Sequence, residues 1–152
     1  MTKSIRTEII INASKETVWS ILTDLSSYSN WNPFIVSSKG ELRPGKRLIN
    51  TLNNNGKTIV FRPIVGKVIQ NQYYDWTGHL LFKGLFDGHH YFELEDAGNG
   101  QVKLVHGENF SGILSNYILN KIGEETRNNF IRMNGAIKKR AESVIQETAM
   151  PV

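Results

Sequence analysis

Three side chains late in the β-rich part of the chain could do acid–base or binding chemistry together. They are His90, His106 and Glu108, within FDGHHYFELEDAGNGQVKLVHGENF (86–110). The Gly98-Asn99-Gly100 loop predicts a type I turn followed by a glycine bulge between two strands. That register pairs Leu94 with Leu104, Phe92 with His106 and His90 with Glu108. Side chains alternate across a strand, so Leu94, Phe92, Leu104 and Phe110 mark the inner face. His90, His106 and Glu108 then point inward too, and His89 points out. A slip of one residue would reverse every assignment.

Three readings of this cluster stay open. A His–Glu pair can satisfy its own hydrogen bonds in a partly wet interior. The same groups can orient a mostly apolar ligand, as a few polar atoms do in many small-molecule pockets. They can also act as general acid and base, for a cyclisation or dehydration in which a proton leaves a carbon beside a carbonyl. No nucleophile elbow, cofactor loop or second convergent carboxylate accompanies them, so no residue is assigned as catalytic.

His79, His90, His106 and Glu108 are metal-ligand types, but no HxxxH-like spacing joins them, and neighbours His89 and His90 face opposite ways. No metal and no cofactor is expected. The chain has no cysteine, which removes disulfides, thiolate sites and cysteine nucleophiles. GNG and NNNG are turn signals without the strand–loop–helix context of a phosphate cradle.

The elements that must position the cluster follow from periodicity. SIRTEIIIN reads as a strand with Ile5, Thr7, Ile9 and Ile11 on one face. Ser14 is placed to cap a short helix carrying Val18, Ile21, Leu22 and Leu25. In DLSSYSNWNPFI (24–35), Asp24 is expected to cap a second short helix that Pro33 stops. Asn30 and Asn32 are placed to satisfy loose backbone groups at the turn, and Trp31 braces the corner.

Strands PFIVSS, KRLINTL, KTIVFRPIVGKVI, YYDWTGHLLF, FDGHHYFELE and QVKLVHGENF follow. NNNG (53–56) is read as a hairpin, and Pro63 as an edge or bulge. From about Gly112 to Glu147 the stripe Leu114, Ile118, Ile122, Phe130, Met133, Ile137, Ala141 and Val144 predicts one long helix, with a kink near Gly123. Consecutive hairpins curl with the twist of their sheet. A single helix covers such a sheet incompletely and leaves a hollow lined by aromatics.

At 152 residues with net charge +4, the chain is expected to be one domain, 1–152. Lys121, Arg127, Arg132, Lys138, Lys139 and Arg140 read as a solvated helix face, without the aromatics or fold motif of a nucleic-acid surface. No apolar run approaches membrane-spanning length, and MTKSIRTEIII lacks a signal-peptide core, so the expected location is cytoplasmic. The apolar connection LLFKGLF (80–86) leaves three readings: a cavity mouth, a homodimer contact or further strand.

IINASKETVWSILTDLSSYSNWNPFI, YDWTGHL, LFDGHHYFELE, and VHGENFSG followed by RMNGAIKKRAE together resemble the START-like, or Bet v 1-like (SRPBCC), superfamily, in its polyketide cyclase/dehydrase-and-lipid-transport branch. The resemblance spans nearly the whole chain. It implies an α+β helix-grip fold: a curved antiparallel sheet with two short helices and a long C-terminal helix enclosing a cavity.

It also implies binding of a small hydrophobic molecule, lipid-like or polyketide-like; with no catalytic constellation beyond the His/Glu cluster, binding without transformation is the expected function. The alternatives are a cyclase or dehydratase using the His/Glu cluster, and a co-chaperone-like interaction module. The residues expected around the pocket are Trp31, Phe34, Phe61, Trp76, His90, Phe92, His106, Glu108, Phe110, Phe130 and Met133.

Overall fold

A computed structural model describes residues 3–80 and 82–149, with side chains through residue 144. Strand β1 (Lys3–Ile11) is followed by α1 (Lys15–Thr23), a 3-10 turn (Leu25–Ser27) and the single-turn α2 (Tyr28–Trp31). Seven strands come next: β2 (Ile35–Lys39), β3 (Ile49–Asn54), β4 (Lys57–Phe61), β5 (Ile64–Ile69), β6 (Tyr73–His79), β7 (Asp87–Gly98) and β8 (Gln101–Ser111). The helix α3 (Ser115–Ala149) ends the described chain.

The first strand sets the inner face as its pattern requires. Ile5, Thr7 and Ile11 are buried, while Ser4, Arg6 and Glu8 are exposed. Ser14 then caps α1, its hydroxyl accepting the amide of Thr17 at 3.1 Å. Asp24 does stand before the 3-10 turn, but it makes no side-chain cap; its carboxylate takes the Ser26 hydroxyl instead.

Asn32 does satisfy the corner, its Oδ1 accepting the amides of both Phe34 and Ile35 at 2.9 Å. These bonds turn the chain from α2 into β2 just where Pro33 forbids more helix. Trp31 packs edge-on to Tyr28, and its indole N–H donates to Ser27 Oγ at 3.1 Å.

All strand pairs are antiparallel, but they form two sheets rather than one. The larger has the order β1-β8-β7-β6-β5 and the smaller β2-β3-β4. The break lies inside KTIVFRPIVGKVI, expected above as one strand. Phe61 pairs with Asn50 in the small sheet, and Ile64 with Thr77 in the large one. Pro63, with no N–H to leave unpaired, sits at the crossing. A short bridge between Arg47 and Ile64 ties the sheets, and the Arg47 guanidinium donates to the Arg62 carbonyl at 2.7 Å.

The β7–β8 hairpin has the expected pairs His90 with Glu108, Phe92 with His106 and Leu94 with Leu104. Its turn differs in detail. Asn99 and Gly100, both at positive φ (53° and 74°), make a two-residue turn, and a bulge between Asp96 and Gly98 restores the register.

Helix α3 runs unbroken through Gly123 and Gly135. A side chain at either would meet open space, so these glycines weaken the helix by their entropy without a contact that would bend it. Phe130, Met133, Ile137 and Ala141 are buried against β1 and its neighbours. Ile118 and Ile122, nearer its start, are only half-buried. The hollow lies beneath them.

Candidate functional site

The cavity has a volume of about 270 Å³. One wall comes from the small sheet and the residue before it: Phe34, Ile35, Leu52, Ile59 and Phe61. The large sheet supplies Trp76, Gly78, His79, Gly88, His90 and Glu108, and helix α3 closes the top with Ile118 and Ile122. Aliphatic and aromatic groups dominate. The polar atoms gather at His79 near the mouth and at the Glu108–His90 corner.

Behind that corner a hydrogen-bonded chain runs into the core. Glu108 Oε1 lies 2.8 Å from His90 Nδ1, and His90 Nε2 lies 2.7 Å from His106 Nε2. His106 Nδ1 is 2.8 Å from Asn134 Oδ1, and Asn134 Nδ2 donates to Thr7 Oγ1 at 2.8 Å. The Thr7 hydroxyl donates to the His106 backbone carbonyl at 2.8 Å.

The direction of the chain follows from its last member. A carbonyl only accepts, so the single Thr7 hydrogen is spent on it. Thr7 must then accept from the Asn134 amide, which leaves Asn134 Oδ1 to accept from His106 Nδ1–H. A neutral His106 therefore offers Nε2 as an acceptor, and His90 donates to it through Nε2–H. Only one bond remains, between His90 Nδ1 and Glu108 Oε1, and a single proton must occupy it.

Burial decides on which side that proton rests. His90 is sandwiched by Trp76 (centroids 4.8 Å apart) and Phe130 (5.0 Å), and His106 stacks on Phe130 at 4.2 Å. Desolvation holds both imidazoles below their ordinary range. The same burial pushes the Glu108 carboxyl up to about 8. An ion pair here would leave two charges stripped of water, so burial favours the neutral pair, with the Glu108 carboxylic acid donating to the His90 imidazole.

The family model described as polyketide cyclase/dehydrase and lipid transport matches residues 2–145. The chain belongs to that family. Solved structures share this family member's helix-grip fold at low sequence identity. The ZhuI aromatase/cyclase of Streptomyces sp. R1128 superposes with a TM-score of 0.82 at 10% identity, covering 99% of this chain and 100% of that one.

A START superfamily protein of Mycobacterium smegmatis gives 0.71 at 19% identity, covering 93% and 98%. Norcoclaurine synthase of Thalictrum flavum gives 0.73 at 12%, covering 95% and 97%. No curated protein matches the sequence.

Of the eleven residues expected around the pocket, the polyketide cyclase/dehydrase fold brings Phe34, Phe61, Trp76, His90 and Glu108 to the cavity wall. His106, Phe92, Phe110, Phe130 and Met133 are buried one layer behind it, and Trp31 stays at the α2 corner, partly buried against the core. His89 lies on the outer face, its Nε2 2.9 Å from Asp75 Oδ2. Among the described residues no group of three or more His, Cys, Asp or Glu could hold a metal ion. None of the described helices is long and apolar enough to cross a membrane.

Sequence reasoning missed Asn134 and the role of Thr7. Asn134 falls four residues after Phe130 and three before Ile137, so a polar residue at core spacing was the available signal. It also missed most of the small-sheet wall and Gly88 beside Glu108.

The apolar connection after β6 folds back onto the start of α3. Leu80 and Phe86 enter the cavity wall, while Phe82 is exposed. Leu81 lies outside the described residues. Asp87 clasps the loop, accepting the Gly84 amide at 3.0 Å and holding His79 Nδ1 at 2.9 Å. The amides of Ile113 and Leu114 donate to the carbonyls of Gly84 and Leu85 at 3.1 and 3.0 Å.

Proposed function

We propose that the protein binds a small, mostly apolar molecule in this cavity and does not transform it. The observation that carries the reading is the contrast within one hollow: aliphatic and aromatic walls throughout, with hydrogen-bonding capacity at the inner end concentrated at Glu108, whose carboxyl His90 holds in place. Phe34, Phe61 and Trp76 supply apolar contact, worth about 25 cal/mol per Å² covered. Phe92, Phe110, Phe130 and Met133 hold the wall from behind, His106 fixes the His90 ring, and Trp31 braces the corner beside Phe34. The family's description, which joins cyclisation and dehydration with lipid transport, supports a ligand of this kind.

A second reading has its own observation. At the cavity wall Glu108 Oε1 and His90 Nδ1 lie 2.8 Å apart and share one proton, and burial pushes the carboxyl up toward the range of acid–base work at neutral pH. A cyclase or dehydratase could use it, in keeping with the aromatase/cyclase named among the structural neighbours.

One experiment separates the two. Gently purified protein is examined by native mass spectrometry, and the released molecule is then incubated with wild type and Glu108→Gln. Binding alone predicts a stoichiometric adduct, no turnover, and a modest change of affinity in the variant. Turnover by wild type that vanishes in the variant would replace the binding reading with the catalytic one.

A further inference from the structure

We propose that the cavity selects ligands carrying a hydrogen-bond donor, such as an alcohol or an N–H group, and rejects those whose polar atoms only accept. The inference rests on the cavity being the ligand site and names the class of molecule it takes.

The argument is one of lone pairs. Glu108 Oε1 is committed to His90 Nδ1. The chain behind His90 is polarised from the Thr7 hydroxyl on the His106 carbonyl outward, so the one proton of the pair lies between Oε1 and Nδ1. If it sits on Glu108, Oε2 is the carbonyl oxygen of an acid. If it sits on His90, Oε2 is one oxygen of a carboxylate. Either way Oε2 accepts and has nothing to donate.

Among the described residues no protein group hydrogen-bonds Oε2, yet it is not sealed from solvent-sized space. The opening beside it is made by Gly88, which lines the same wall: a Cβ there would lie 2.4 Å from Oε2. The other polar group in the wall, His79, is held at the mouth by Asp87. An apolar molecule filling the hollow therefore meets one free acceptor at its inner end. A hydroxyl or N–H satisfies it, whereas a ketone, ether or carboxylate sets lone pairs against lone pairs in a poorly solvated place.

The test uses two probes with the same carbon skeleton, 1-(2-naphthyl)ethanol and 2-acetylnaphthalene, titrated calorimetrically into the whole protein. The alcohol is expected to bind roughly tenfold tighter. The preference should hold at both pH 6 and pH 9, because Oε2 accepts in either protonation state. In Glu108→Gln the amide nitrogen donates to His90 Nδ1 as the acid does, and the amide oxygen takes the place of Oε2, so the preference is retained. In Glu108→Met it should fall to within about twofold.

Equal binding of the two probes to wild type, or a ketone preference at pH 6 that fades by pH 9, would overturn the donor rule and leave the binding site standing. Failure of both probes to bind would remove the cavity reading together with the rule. The wild-type ratio decides the matter even if Glu108→Met does not fold.

Discussion

At the scale of single residues, Glu108 links the site to the stability of the fold. Burial raises its carboxyl from 4.5 to about 8, so between those values the folded state holds a proton that the unfolded chain releases. Its contribution is therefore complete below about pH 4.5 and is lost as the pH rises through about 8. His90 and His106 run the other way: their lowered values contribute stability above about pH 6.5 that is lost as the medium turns acidic.

Glu108→Gln removes only the first of these dependences. Melting temperatures of the two proteins, compared from pH 5 to 8.5, should show the variant gaining on wild type as the pH rises. A constant difference would mean that Glu108 is ionised across the whole range. The inward set of His90, His106 and Glu108 was legible in the sequence because Leu94, Phe92 and Leu104 mark one face of the hairpin. The proton's direction was not, since it depends on Thr7 and Asn134, which lie 127 residues apart and meet only in the folded core.

At the scale of elements, the mouth depends on how the β6–β7 connection meets α3. Gly112 has φ +109°, and a Cβ there would come within 2.6 Å of the Leu85 carbonyl oxygen. Gly112→Ala should therefore cost about 1–3 kcal/mol in urea denaturation. It should also speed exchange of the Ile113 and Leu114 amides, which bond across to that loop. An alanine variant as stable as wild type would show that the helix start can slide away from the loop.

Elements of this kind were readable where the signal was local. Asn99-Gly100 set the hairpin, and a polar turn with a proline set the α2 corner. The division of KTIVFRPIVGKVI between two sheets was not readable, because Pro63 marks a break in pairing equally well at an edge, a bulge or a crossing. Gly123 misled for a related reason: a glycine in a helix weakens it wherever it stands, and only neighbours decide whether the helix bends.

At the scale of the whole molecule, the two sheets face the same hollow and are joined to each other along one short seam. Ile35, Leu52, Ile59 and Phe61 form one wall, and the segment leading into β3 joins the large sheet at one seam, through the Arg47–Ile64 bridge and the backbone bonds of Gly45 and Lys46 to Val65 and of Leu48 to Pro63. The two sheets thus meet along a single edge, with the hollow on its inner side. The consequence concerns time rather than affinity: we expect a guest's residence to depend on how readily that seam opens, and not on the strength of its own contacts alone.

Arg47→Ala, which deletes the bond to the Arg62 carbonyl at the seam, is expected to speed entry and escape of a bound molecule by similar factors. Stopped-flow association and chase experiments would then show faster exchange at nearly constant Kd. A change confined to the escape rate would place the passage elsewhere. Equal acceleration of both rates would make the seam the door of the cavity, a part of the protein that sets how fast a guest comes and goes without touching it.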